Sequence, residues 1–287
     1  MLKRIVRALV HRAKSWIQEG PEPDPTWWLE SDFVSDHLNY HLRQMRRARP
    51  GLRPHFAWGT LSAAWLAKSL GMSRISAIEF GVAGGNGLVE LERIATEVSA
   101  VYGLEIDVFG FDTGVGLPKP EDYRDLPNLY RASGFLMDEA KLRGRLKRAR
   151  LILGDVADTI EPFMASGQAP VGFVSIDVDL YSSTMAAFKL FTGDPRLLLP
   201  RVYCYFDDIL GETFSEFTGE RLAVAEFNAA HSMRKISPIF GLRYHLREPH
   251  QMEPWPDQMF IAHLFDHELY GRYAGTSKDA GGWTELR

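Results

Sequence analysis

Cysteine is nearly missing: the 287-residue chain has one, Cys204, set inside an apolar run. Without a second thiol no intrachain disulfide can form, and a reducing cytoplasm is the compartment that fits. Long apolar runs are missing too. None approaches the ~18 residues of a membrane-spanning helix, and the N-terminus lacks the apolar stretch and small-residue cleavage site of a secretory signal. Neither charge sign dominates, with 33 Lys and Arg against 37 Asp and Glu. The net charge of −4 gives no global field to gather a polyanion, so nucleic acid is not an expected partner. Three catalytic signatures are absent as well: the phosphate loop G-x-x-x-x-G-K-[ST], the nucleophile elbow G-x-S-x-G and the dinucleotide spacing G-x-G-x-x-G. What is present, 45% apolar and 24% charged residues, is the makeup of a globular chain with a sizeable core. Disorder, collagen and coiled coil are excluded.

Residues 1–19 place Leu2, Ile5, Val6, Leu9, Val10, Ala13, Trp16 and Ile17 at helical spacing, with Lys3, Arg4, Arg7, Arg12 and Lys14 on the other face. Such a basic amphipathic helix docks on its own domain or a partner subunit, lies on an anionic membrane surface, or serves as an import presequence. Residues 20–30, with Pro21, Pro23 and Pro25, read as a linker. Residues 31–72 read as a helical cap, one helix over 31–48 with Ser31 as N-cap and a second from Leu61 to Leu70. Arg43, Arg46, Arg47, Arg49 and Arg53 crowd the end of the first; a solvated face is their ordinary meaning, phosphate or acidic-substrate binding the alternative. From 73 to 270 strand and helix patterns alternate, and 271–287 form a tail.

Within the alternating region, strand-like runs fall at 75–80, 106–111, 149–153, 171–176 and 202–206, with helices near 87–101, 157–165, 182–192 and 218–231. Buried parallel strands joined by crossover helices are the simplest packing of that order. Two last runs, 234–240 and 258–265, have no helix pattern between them and suit an antiparallel pair at one edge. The predicted fold class is α/β, doubly wound and mostly parallel.

Chemistry-bearing residues collect where these strands end. AIEFGVAGGNG (77–87) puts Glu79 at a strand end, then Gly81, Gly84, Gly85 and Gly87 in a turn before a helix. Glycines let the backbone pass close to a ligand, and a helix N-terminus offers free N–H groups. Asp112, in GFDTGVGLP, ends the next strand, where an acid takes ribose hydroxyls in doubly wound sheets or makes an Asx turn. Both NAD and S-adenosylmethionine carry that ribose. Asp155 follows the third strand, as a site carboxylate or a helix cap. Asp177 and Asp179 end the fourth strand, two apart and hence on one face, and Asp207 and Asp208 end the fifth. Four carboxylates that close repel one another unless a cation lies between them. Oxygen ligands without a nearby cysteine favour a hard divalent ion such as Mg2+.

In that order, IEFGVAGGNG, GFDTGVGLP, GDVADTI, IDVDLYSST, YFDDILG and FTGERLAVAEF resemble the class I S-adenosylmethionine-dependent methyltransferases. The resemblance is to the macrocin/TylF-like, Mg2+-dependent O-methyltransferases of antibiotic sugars and covers roughly residues 60–240. It implies a seven-stranded Rossmann-like methyltransferase fold, here with an N-terminal helical extension. It places Glu79, Gly81 and Gly84 by the methionine part and ribose, Asp112 on the ribose hydroxyls and Asp155 near the adenine. Asp177, Asp207 and Asp208 would hold the metal, with Asp177 or Asp179 as the base. The implied reaction is methyl transfer from S-adenosylmethionine to a hydroxyl of a saccharide or polyhydroxylated small molecule; the cysteine usage and the amphipathic segment 1–19, read on their own, place it in the cytoplasm or peripheral to the inner face of a membrane. A homo-oligomer is compatible with all of this. The basic N-terminal helix and the aromatic-rich stretch from Trp255 to Tyr273 have no counterpart in the resemblance. Two other classes stay open: a nicotinamide-dependent oxidoreductase, against which the glycine spacing speaks, and a non-catalytic interaction protein, against which the four acids speak. His263 and His267 are four apart without the H-E-x-x-H glutamate, so zinc is not expected there.

Overall fold

Ile75, Ala77, Ile78 and Phe80 give the run RISAIEF a continuous apolar character, and it forms the central strand β1 (Arg74–Phe80), covered on both faces. The computed structural model describes residues 34–211, 214–272 and 274; the expectations for 1–19, 20–30 and most of 271–287 lie outside them, as does Ser31. In chain order the elements are α1 (Val34–Ala48), α2 (Pro54–Ser69), β1, α3 (Asn86–Tyr102), β2 (Glu105–Asp112), α4 (Glu139–Arg143), β3 (Arg150–Leu153) and α5 (Val156–Ala165). There follow β4 (Val171–Ile176), α6 (Tyr181–Phe188), β5 (Leu198–Phe206), α7 (Gly219–Ala230), β6 (Arg234–Pro238), α8 (Leu242–His245) and β7 (Met259–Leu264). Residues Leu38–Ala274 make one compact unit.

The seven strands form one sheet in the order β3-β2-β1-β4-β5-β7-β6. The first five are mutually parallel; β7 runs antiparallel to both β5 and β6. This is the expected doubly wound, mostly parallel sheet with its antiparallel pair at one edge. The stretch between those two strands is not wholly free of helix, since α8 and short 3-10 turns at His250–Met252 and Trp255–Gln258 lie there. Helix α2 starts at Pro54, earlier than expected, with proline supplying the preset φ of a first helical turn. The predicted helix at 182–192 ends as α6 at Phe188 and tightens into a 3-10 turn over Lys189–Thr192.

Alternation along the strands divides the core into two layers. Ile78, Phe80, Phe111, Val174, Ile176 and Phe206 meet Ile160, Phe163, Phe188 and Phe227 from α5, α6 and α7. On the other face Phe173 packs against Phe56 of α2 and against Gly59, where an added Cβ would stand 2.2 Å from the Phe173 ring. Cys204, free and fully buried in β5, belongs to the first of these two layers. Glu92 of α3 accepts the backbone N–H groups of Lys147, Arg148 and Ala149, and so fixes the approach to β3. Sheet order reverses between β1 and β4. In an open α/β sheet, the crevice beyond the carboxyl ends at that reversal is where ligands bind.

Candidate active site

A cavity of about 730 Å3 opens at that reversal. Its volume falls within the ~300–1,000 Å3 of small-molecule sites. One half is lined by Gly81, Ala83, Asp112, Thr113, Asp155 and Val156, the other by Asp177, Asp179, Asp207 and Asp208; Leu117, Leu129, Tyr130 and Phe135 wall it from the loop after β2.

The first half is built on the glycine turn. Gly81 continues β1 at φ +86°, its N–H donating to the Phe111 carbonyl at 2.9 Å. Asp112 then gathers the turn: Oδ2 accepts from the N–H of Val82 (3.0 Å) and Ala83 (2.8 Å), and Oδ1 accepts from Gly114 (2.7 Å). A carboxylate has about four acceptor positions, so three are taken and one on Oδ1 is left for a ligand hydroxyl. Both sequence readings of Asp112, Asx turn and hydroxyl acceptor, are therefore compatible in one residue. Asp155 caps α5 by accepting from Ala157 N–H at 2.8 Å and also lines the cavity. Two predicted residues stand apart from the lining. Gly84 is exposed at the turn, its carbonyl accepting from Arg145 at 3.2 Å. Glu79 is 2% exposed beneath α3, where a Cβ on Gly87 would fall 1.7 Å from its Oε1. Burial, followed by the charges of Asp177 and Asp112, pushes the Glu79 carboxyl well above the carboxylate range, against the pull of Arg53.

Replacing Asp112 by Asn turns one acceptor into a donor that confronts backbone N–H groups. Affinity for an adenosyl ligand is expected to fall by roughly 2 kcal/mol, about thirtyfold, as titration calorimetry would read. Unchanged affinity would remove Asp112 from the ligand half.

The second half brings together all four acids read from the ends of the two neighbouring strands. Strand β4 stops at Ile176, so the two-residue alternation argued for Asp177 and Asp179 does not extend to them. Both nevertheless line the cavity, Asp179 from a left-handed backbone at φ +60°. Tyr130 Oη donates to Asp208 Oδ1 at 3.0 Å and Tyr205 Oη donates to Asp207 Oδ1 at 2.7 Å. Gln258 secures the Asp207 carbonyl at 2.8 Å. Burial first, and then Asp207, Asp208 and Asp179, push the Asp177 carboxyl up to about 8. Asp179 is pushed to about 7, by burial and then Asp208; Asp208 is pushed to about 6, chiefly by burial, with the Tyr130 hydrogen bond opposing. Glu220, at the first turn of α7, is 1% exposed with neither carboxylate oxygen hydrogen-bonded. Burial, with Asp208, Asp177 and Asp207 adding to it, raises it well above its ordinary range.

Sequence reasoning missed Tyr130, Tyr205 and a role for Glu220. Tyr205 carried a signal, since it shares the two-residue spacing of Asp207 in VYCYFDD; Tyr130 sits in a loop without periodicity and carried none. The arginine cluster divides: Arg46 pairs with Glu253 at 2.7 Å and Arg49 with Glu97 at 3.2 Å, while Arg53 bears electrostatically on Glu79 and Asp177. Trp255 and Phe260 are buried in the fold, and His263 pairs with Tyr270 at 2.9 Å.

Whether the acids suit a hard cation is decided by their chemistry: oxygen donors only, with Asp177 and Asp179 raised by burial and then by neighbouring carboxylates, and with Asp208 Oδ2 buried and without a partner. That donor set fits. Among the described residues, however, no three His, Cys, Asp or Glu side chains stand as a ready coordination sphere.

No protein-family model matches the chain, and no curated protein matches it. Among solved structures it is similar to CalS11, a calicheamicin methyltransferase, at 20% identity over 78% of this chain and 95% of that one, with a TM-score of 0.48. The O-methyltransferase NovP is similar at 15% identity over 72% and 91%, with a TM-score of 0.46. An O-methyltransferase from Bacillus cereus, in complex with S-adenosylhomocysteine, is similar at 17% identity over 75% and 91%, with a TM-score of 0.37. Among the described residues, no helix is long and apolar enough to cross a membrane.

Proposed function

We propose that this chain is an S-adenosylmethionine-dependent O-methyltransferase of the macrocin/TylF-like type, acting on a hydroxyl of a saccharide or other polyhydroxylated small molecule. The observation that carries the reading is the single cavity joining the Gly81–Asp112 half to the four acids. In this reading Gly81, Asp112 and Asp155 receive the adenosyl ligand, and the acid half receives the acceptor. Glu79 acts from beneath the turn, shaping it against Gly87.

In the transfer, the acceptor oxygen forms its bond to the methyl carbon as the carbon–sulfur bond breaks, and the bonding pair leaves with sulfur as the neutral thioether. Holding the two reactants in line across one cavity supplies much of the acceleration. The hydroxyl proton passes to a carboxylate. Asp179, lifted to about 7, is matched to accept it near neutral pH, and Asp177 stands beside it. Asp177, Asp207 and Asp208 would hold a hard divalent ion, which when bound would supply Lewis acidity to the acceptor hydroxyl. Tyr205 and Gln258 keep Asp207 oriented for that duty.

Because Asp112 suits the ribose of either cofactor class, the test is calorimetry with S-adenosylmethionine, S-adenosylhomocysteine and NADH on the same folded protein. Both adenosyl ligands should bind and NADH should not. Preferential NADH binding would move the reading to an oxidoreductase; no binding of either adenosyl ligand would sink it.

A further inference from the structure

Residues 113–138 leave the end of β2, wall the cavity and lead into α4. Several contacts fasten the loop, among them Arg124, which donates to the Tyr181 hydroxyl at 3.3 Å. Leu117 N–H donates to the Gly134 carbonyl at 2.9 Å and Ser133 N–H to the Leu117 carbonyl at 2.8 Å, closing the loop on itself beside the cofactor half. Asp125, 1% exposed, accepts from Ser182 N–H at 2.8 Å and from its hydroxyl at 3.0 Å, which ties the loop to the first turn of α6. Beyond Asp125 the chain exposes Leu129, Phe135 and Leu136 and holds Ser133 and Phe135 in left-handed backbone, at φ 62° and 59°. Exposed apolar side chains and left-handed backbone do not hold a segment down. Tyr130 does: it lines the cavity, and its hydroxyl reaches across to Asp208 Oδ1 at 3.0 Å, from a position 78 residues earlier in the chain.

We propose that Tyr130 is a positioning residue that joins the two halves of the site, holding the 127–136 segment against the cavity and fixing the Asp208 carboxylate so that Oδ2 remains its available oxygen. The naming of the halves rests on the methyltransferase reading. Tyr205 is the internal comparison, because it makes the equivalent bond to Asp207 from within β5, where it is stacked on His55 at 4.0 Å. Ligand contacts in the cofactor half would thus be felt at Asp208 through Tyr130 and the loop, and not through Tyr205.

Hydrogen exchange read by mass spectrometry on the full chain, ligand-free and with S-adenosylhomocysteine, tests this in wild type, Tyr130→Phe, Tyr130→His and Tyr205→Phe. In the ligand-free protein, amides of 127–137 should exchange roughly tenfold faster in Tyr130→Phe than in wild type or Tyr205→Phe, the scale of one lost charge-assisted hydrogen bond. Amides of β1, β4 and β5 should be unchanged, which reports that the variant is folded. Tyr130→His, which returns a donor, should recover part of the protection. With S-adenosylhomocysteine, wild type should gain protection both at 113–118 and at 207–211; Tyr130→Phe should gain it only at 113–118. Equal exchange of 127–137 in wild type and Tyr130→Phe, or ligand protection reaching 207–211 in both, would overturn the proposal. Failure of wild type to bind S-adenosylhomocysteine would instead overturn the methyltransferase reading, and the ligand-free comparison would still decide the role of Tyr130.

Discussion

Asp177→Asn is expected to raise the stability of the ligand-free protein at pH 8 while lowering methyl transfer by about 10³-fold. The two effects share one cause. A carboxyl that holds its proton more tightly in the folded than in the unfolded chain stabilises the fold at low pH, and that contribution is lost as pH climbs through the folded value. Asp177 ordinarily titrates near 3.8 and is pushed up to about 8, so its penalty grows between these limits and is nearly complete at pH 8. Asparagine keeps the shape and removes the charge. A gain of a few kcal/mol, or about 5 °C in melting temperature, is expected at pH 8, shrinking to nothing near pH 4 where the native aspartic acid is itself neutral. Added Mg2+ should stabilise wild type at pH 8 and do little for the variant, since it compensates the same buried charge. Thermal unfolding across pH, with and without Mg2+, and labelled methyl transfer to a panel of glycosides are the measurements. A variant less stable than wild type at pH 8 would mean that Asp177 is already charge-compensated, and full activity would remove it from the chemistry.

Much of the sheet was legible because buried parallel strands read as short apolar runs, and ISAIEF and VGFVSI fall on β1 and β4 nearly to the residue. The acids and glycines were legible for a related reason: in such a sheet only strand ends are open to ligands, so a polar residue closing an apolar run is already near the crevice. Strand β5 was half hidden. It begins at Leu198, before Pro200, and a proline in a run argues against a strand. Its pairing with β4 skips in register between Val171 and Phe173, which accommodates that departure. Helix α2 gave little amphipathic pattern because both its sides are buried, from Phe56 through Leu66. The polar supports of the site were least legible. Tyr130 reaches Asp208 only through the folding of an irregular loop, the left-handed turn at Asp179 has no glycine to announce it, and the burial of Glu220 is a property of packing. Spacing along a chain speaks of faces within one element; it says nothing of which loop lies over which strand end.

Gly81→Ala is expected to cost about 3–5 kcal/mol of stability and to abolish binding of S-adenosylhomocysteine. Gly81 sits at φ +86°, where a Cβ is strained whatever the space, and there is no space: the added carbon would stand 1.7 Å from the Asp177 carbonyl oxygen. That oxygen belongs to the backbone, so relief requires the ends of β1 and β4 to part. Parting them threatens the bond from Asp177 N–H to the Phe80 carbonyl at 3.0 Å and that from Gly81 N–H to Phe111 at 2.9 Å. The glycine turn and the acid cluster would shift together, because Gly81 opens the first and Asp177 opens the second. Gly84→Ala is the informative contrast. Nothing lies within 4 Å of a Cβ there, so stability should change by less than about 1 kcal/mol. Any loss of ligand affinity in that variant would then report close approach of the ligand to the turn itself. Denaturant unfolding paired with calorimetry on both variants separates the two roles. A Gly81→Ala protein as stable as wild type would show that the junction between β1 and β4 can yield, and would remove this contact as the reason the two halves of the cavity keep their spacing.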